Sequence, residues 1–134
     1  MSNISIIVRG QMYGQHFDEH FFADPSIRKG GKYKYFVVLQ GDDNFTRHPF
    51  RAAVFINSNP PSHCAEYTQY PLRNIKKECI HDPEIIDHGY IDLSFVFMVS
   101  VKEIKESDYI MILTEPTMRD IDKKLIRCLG IRPR

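Results

Sequence analysis

Six histidines and three cysteines are the residues of this 134-residue chain best suited to chemistry at neutral pH. His16 and His20 stand four apart in His-Phe-Asp-Glu-His. On a helix that spacing puts two imidazoles on one face, where they could grip a metal. The zincin arrangement has Glu directly after the first His, whereas here Glu19 directly precedes the second. His63-Cys64 and Cys79-x-His81 carry the donors zinc prefers, but not in the knuckle spacing of structural zinc sites. His63-Cys64-Ala65-Glu66 is one residue too long for the His-x-Glu of zinc deaminases and lacks the Pro-Cys-x-x-Cys that follows it there. Cys64 as a nucleophile would need a histidine that faces it in space, and a neighbour in sequence such as His63 does not do so on a strand or helix. Gly30-Gly31-Lys32 has neither the spacing nor the Ser/Thr of a phosphate-binding loop. No catalytic residue, metal or cofactor is therefore expected.

Cations form two clusters. Arg28, Lys29, Lys32 and Lys34 interleave with Tyr33 and Tyr35 without an acidic residue between them. Positive charge draws phosphates, and aromatic faces stack on unpaired bases. On a strand, though, Tyr33 and Tyr35 point one way and Lys32 and Lys34 the other, which favours a core-facing tyrosine pair with solvated lysines. The second cluster is Arg119, Lys123, Lys124, Arg127, Arg132 and Arg134. Cations near a helix C-terminus are favoured by its dipole alone, so a solvated face is expected there. With a net charge of only +1, any binding of nucleic acid must rest on these local patches rather than on the whole surface.

The elements that must position these residues are read from periodicity. Residues 4–9 are rich in β-branched side chains and read as a first strand. Residues 11–32 show no period and read as a long loop with an aromatic group, Phe17, Phe21 and Phe22. Such a loop is either functional or anchored by its rings. Residues 33–39 and 50–57 read as a hairpin around the Gly41-Asp42-Asp43-Asn44 turn. Pro71 suits the first turn of a short middle helix whose Leu72, Ile75 and Cys79 share a face, ended by Asp82-Pro83. Residues 90–102 alternate strictly, with Ile91, Leu93, Phe95, Phe97, Val99 and Val101 on the expected core face. A charged turn at 103–108 and a central strand at 109–113 follow. The last element is a helix from about Pro116 to Leu129, with a capping box at Thr117 and Asp120 and with Met118, Ile121, Leu125 and Cys128 on its inner face.

The class expected is α+β: a single domain over residues 1–134, with about five mostly antiparallel strands, a short middle helix and a C-terminal helix. An OB-like, partly open barrel is the alternative. At 43% hydrophobic residues the chain can bury a core without staples, and an odd cysteine count argues against a disulfide framework. It has no stretch long enough to span a membrane and no signal-peptide pattern, so a cytoplasmic protein is expected. With no catalytic constellation, the leading functional expectation is a non-enzymatic binding or regulatory protein that docks another protein through Phe17, Phe21 and Phe22. The alternative is a nucleic-acid-binding module using Arg28, Lys29, Lys32, Lys34, Lys123, Lys124 and Arg127. A small His/Cys-dependent enzyme is the second alternative.

Overall fold

A computed structural model describes residues 6–18, 31–45, 47–57, 68–72 and 89–130. Six strands form one antiparallel sheet: β1 (Gln11–Phe17), β2 (Lys32–Val38), β3 (Phe50–Asn57), β4 (Gln69–Pro71), β5 (Tyr90–Ser100) and β6 (Asp108–Ile112). Their spatial order is β4-β5-β3-β2-β1-β6, and the sheet curls into a half-barrel. Among the described residues three helices accompany it: α1 (Asp42–Phe45), α2 (Val101–Glu106) and α3 (Glu115–Cys128). The protein is thus mostly β, with one more strand than expected, and the expected antiparallel sheet and C-terminal helix are present.

Side-chain alternation divides the apolar residues between the two faces of the sheet. Met12, Val37, Val54, Ile56, Ile91, Leu93 and Met111 form one core under α3, which adds Met118 and Ile121. Tyr13, Phe17, Phe36, Ala53, Phe55, Phe97 and Val99 form the other, closed by Ile104 of α2. Strand β5 contributes to both because its register slips. Val54 pairs with Val96 and Ile56 with Ile91, so two steps on β3 face five on β5. That odd offset reverses which face each later residue meets. Its two apolar halves therefore lie in different cores, and Phe95 between them is 48% exposed.

Several expectations are corrected here. Residues 6–10 are not in a strand, and the first strand is instead 11–17, inside the expected loop. Gly14 interrupts that strand's pattern because the Tyr33 ring lies over it: a Cβ there would meet the Tyr33 hydroxyl at 2.4 Å. Gly10 takes φ +94° and turns the chain into β1 while bonding Val38 and Leu113, which ties β1 between its neighbours. Pro71 ends β4 rather than starting a helix, and the remainder of the expected middle helix, 73–83, lies outside the described residues. The charged segment after β5 is helical from Val101, because the Ser100 hydroxyl accepts from the Glu103 amide. Strand β6 is an edge strand, not a central one. Thr114, not Thr117, caps α3: its hydroxyl accepts from the Thr117 amide.

Candidate functional site: a polar row across four strands

Register brings four polar side chains into one row. Tyr35 of β2 pairs with Ile56 of β3, which sets Lys34 beside Asn57. Asn57 neighbours the start of β5, and Gln69 of β4 pairs with Asp92. The Lys34 ammonium donates to Asn57 Oδ1. Asn57 Nδ2 donates to Asp92 Oδ2 at 3.1 Å, and Gln69 Nε2 donates to Asp92 Oδ1 at 2.9 Å. The same Oδ1 accepts from the Ser94 amide at 3.0 Å and from the Ser94 hydroxyl at 2.5 Å. Asp92 is buried, and four donors converge on its carboxylate. It is an anchor for its neighbours, with its acceptor capacity committed, rather than a free base.

Lys34 stands at the β2 end of this row. Its ammonium lies 4.7 Å from the centroid of the Phe55 ring. Burial, together with the nearby Lys32 charge, lowers its pKa from 10.5 to about 8, and Asp92 opposes part of that fall. Phe95 stacks on Phe55 with centroids 6.0 Å apart and planes 4° from parallel. Phe55 is itself buried in a cluster with Phe17 and Phe97. The half-exposed Phe95 ring therefore extends a rigid aromatic stack out to solvent, on the same ring that supports the lysine. A cation that can give up a proton near neutrality, beside an exposed aromatic face, can bind a phosphate and hold the base next to it.

The residues singled out from sequence divide sharply. Lys34 is in the site, half-buried rather than solvated, and Lys32 beside it is exposed. Tyr33 is not the core-facing partner of Tyr35: it is 44% exposed and its hydroxyl donates to Asp108 at 2.8 Å, while Tyr35 packs against the core under α3. Phe17 is no docking residue, being 4% exposed in the aromatic core. Phe21, Phe22, Arg28 and Lys29 lie outside the described residues, as do His20, His63, Cys64, Cys79 and His81. His16 is exposed on β1, and among the described residues no three His, Cys, Asp or Glu gather as a metal would require. Lys123 and Arg127 are exposed on α3, and Lys124 is half-buried there. Sequence reasoning missed Asn57, Gln69, Asp92 and Phe95. Asp92 carried the only signal, a carboxylate inside an otherwise β-forming run.

No protein-family model matches this chain, and no curated protein matches it in sequence. Solved structures do match in fold. An endoribonuclease from a mycobacterial species superimposes with a TM-score of 0.63 at 18% identity, covering 99% of this chain and 100% of that one. An endoribonuclease solved in complex with its cognate antitoxin, also mycobacterial, gives 0.63 at 18% identity over 95% and 98% of the two chains. MazF from Deinococcus radiodurans gives 0.64 at 10% identity over 96% and 100%. The half-barrel is therefore a fold that endoribonucleases use over their full length. That finding overturns the expectation of a non-enzymatic docking protein of unassigned function and favours the nucleic-acid alternative. Among the described residues, no helix is long and apolar enough to cross a membrane.

Proposed function

We propose that this chain is an endoribonuclease acting on single-stranded RNA, with Lys34 as the group that meets the scissile phosphate. The observation that carries the reading is the half-buried Lys34 ammonium, held by Asn57 beside the exposed Phe95 ring. The fold shared with endoribonucleases supports it.

RNA carries its own nucleophile. The 2′-oxygen attacks the adjacent phosphorus while the bond from phosphorus to the 5′-oxygen breaks, leaving a 2′,3′-cyclic phosphate and a 5′-hydroxyl. The 2′-hydroxyl proton passes to water. The Lys34 ammonium stabilises charge building on the phosphoryl oxygens and donates its proton to the departing 5′-oxygen, then regains one from solvent. Asn57, fixed by Asp92, holds the ammonium in place, and Asp92 is fixed in turn by Gln69 and Ser94. Phe95 stacks on a base flanking the cleaved bond, which requires that base to be unpaired. A protein partner that inhibits the enzyme also belongs to this reading, supported by the cognate antitoxin bound to one chain of the same fold.

The test is incubation with end-labelled single-stranded RNA, the matching DNA and an RNA duplex, with products identified by mass spectrometry. Cleavage of the single-stranded RNA alone to a cyclic phosphate is expected, falling on the order of 10²–10⁴-fold in Lys34→Ala. An intact RNA substrate, or a Lys34→Ala variant as active as the parent, would refute the assignment.

A further inference from the structure

We infer that the cavity between β4 and α3 is a second substrate subsite that holds one phosphodiester of the RNA strand beyond the cleaved bond. The cavity is open, about 550 Å³, and lined by Tyr70, Asp120, Lys123 and Lys124. The inference rests on the ribonuclease reading and extends it to the path of the substrate.

Lys124 is positioned, not merely solvated. Its ammonium donates to the Gln69 carbonyl at 3.2 Å and lies 5.8 Å from the centroid of the Tyr70 ring. An ammonium has three donors, so the Gln69 bond leaves capacity for a ligand. The helix dipole accounts for cations near the last carbonyls of α3. It does not account for Lys124, which reaches sideways to β4. Two other cations near this helix are paired with carboxylates: Arg9 with Asp122, and Arg119 with Glu115. Among the described residues neither Lys123 nor Lys124 has a carboxylate partner. Asp120 in the same lining leaves the cavity with an excess of one positive charge. That excess matches one phosphodiester and disfavours a polyphosphate.

Gln69 joins this cavity to the catalytic row. Its backbone carbonyl holds Lys124 on the α3 side, while its side chain holds Asp92, which holds Asn57 and through it Lys34. From β2 to β4 the row crosses three strand spacings, roughly 14 Å, and β4 is the edge of the sheet. The cavity lies on the α3 side of that edge, so a strand occupying both sites runs along the row and turns round β4.

The two readings separate when binding and cleavage are measured apart. The probe for binding is a dye-labelled single-stranded DNA of the substrate's sequence, which has no 2′-hydroxyl, titrated by fluorescence anisotropy at several salt concentrations. Cleavage is followed on the RNA. Lys123→Ala/Lys124→Ala is expected to bind the DNA several-fold more weakly, with a log–log salt slope shallower by about 0.7, one phosphate contact on a single strand. Its KM for RNA rises while kcat holds. Lys123→Arg/Lys124→Arg restores the slope, which separates charge from any disturbance of the helix. A double Ala variant with the parent's affinity and slope overturns the subsite, as does a parent that does not bind at low salt. A parent that binds through these lysines but cuts nothing supports the subsite and sinks the ribonuclease reading instead.

Discussion

Replacing Lys34 with Met isolates the energetic consequence of holding an ammonium half out of water. The folded pKa of Lys34 is about 8, against an ordinary value of 10.5. Below about pH 8 the group is protonated whether the chain is folded or not, and the folded state carries the whole burial penalty. Between about 8 and 10.5 the unfolded chain binds the extra proton, so parent stability rises with pH across that window relative to the variant. At about 1.36 kcal/mol per pH unit the interval sets an upper bound near 3.4 kcal/mol. Lys34 keeps part of its surface in solvent, and screening there brings the expected gain to about 1–2 kcal/mol. The variant strands Asn57 Oδ1 without its donor, which costs on the order of 1 kcal/mol. That offset is the same at every pH and drops out of the comparison. Urea denaturation of both proteins from about pH 7 to about pH 10.5 measures the difference directly. A parent-minus-variant stability that stays level over this range would show Lys34 to be an ordinary solvated lysine. The argument for its chemistry would fall with it. RNA cleavage by the parent should lose activity as pH rises through about 8, as the ammonium disappears, at the same midpoint where the stability difference begins to climb.

Asp92→Asn keeps the size of the anchor and removes its charge. Asp92 supports the protonated form of Lys34, so the alkaline limb of the cleavage profile should move to lower pH, and a profile that does not move would separate the two groups functionally. Phe97, 6% exposed and stacked at 4.1 Å on Phe55, should cost about 3–5 kcal/mol as Phe97→Ala, whereas Met98→Ala, at 51% exposure, should cost under about 1 kcal/mol. Equal small losses in thermal denaturation would contradict the placement of β5.

Alternation along 90–102 marked a strand, observed at 90–100, and the buried positions Ile91, Leu93, Phe97 and Val99. It also put the exposed Phe95 and the helical Val101 on the core face and the buried Asp92 outside, and it concealed a change of side. A period of two says which residues share a face only while the register holds. The slip opposite Val54 and Ile56 sends Ile91 and Leu93 to the core under α3 and Phe97 and Val99 to the other. Because both cores are apolar, the sequence pattern continues unbroken through the reversal. Strand β1 was illegible for a different reason. Gln11 is buried, accepting from the Val8 amide and the Tyr13 hydroxyl, and Gly14 makes room for Tyr33. Both residues weaken the local strand signal, and only contacts distant in sequence explain them. In the site, Lys34 stood out as a cation. Asn57, Gln69 and Asp92 are ordinary polar residues 23 or 35 positions from their partners, and strand register alone brings them together.

The slip in β5 also explains why the site can exist where it does. In a regular strand Phe95 would continue the alternation of Phe97 and Val99 into the core. Within the slipped segment it keeps one ring face on Phe55 and leaves the other in solvent. The same segment lets Ser94 fold its amide and hydroxyl onto the Asp92 carboxylate, so a buried acid is satisfied without a cation against it. Asn57 stands between Lys34 and Asp92, accepting from one and donating to the other. The exposed Phe95 and the half-buried Lys34 are each locally unfavourable for stability, and they meet on one ring. Elsewhere the buried charge is paired in the usual way: Arg51, 1% exposed, bonds Asp42 at 2.8 Å, and Asp42 also accepts from the Ile7 amide. The hydrogen bond that positions Lys34 within the row goes to a neutral amide, which holds the ammonium without cancelling its charge.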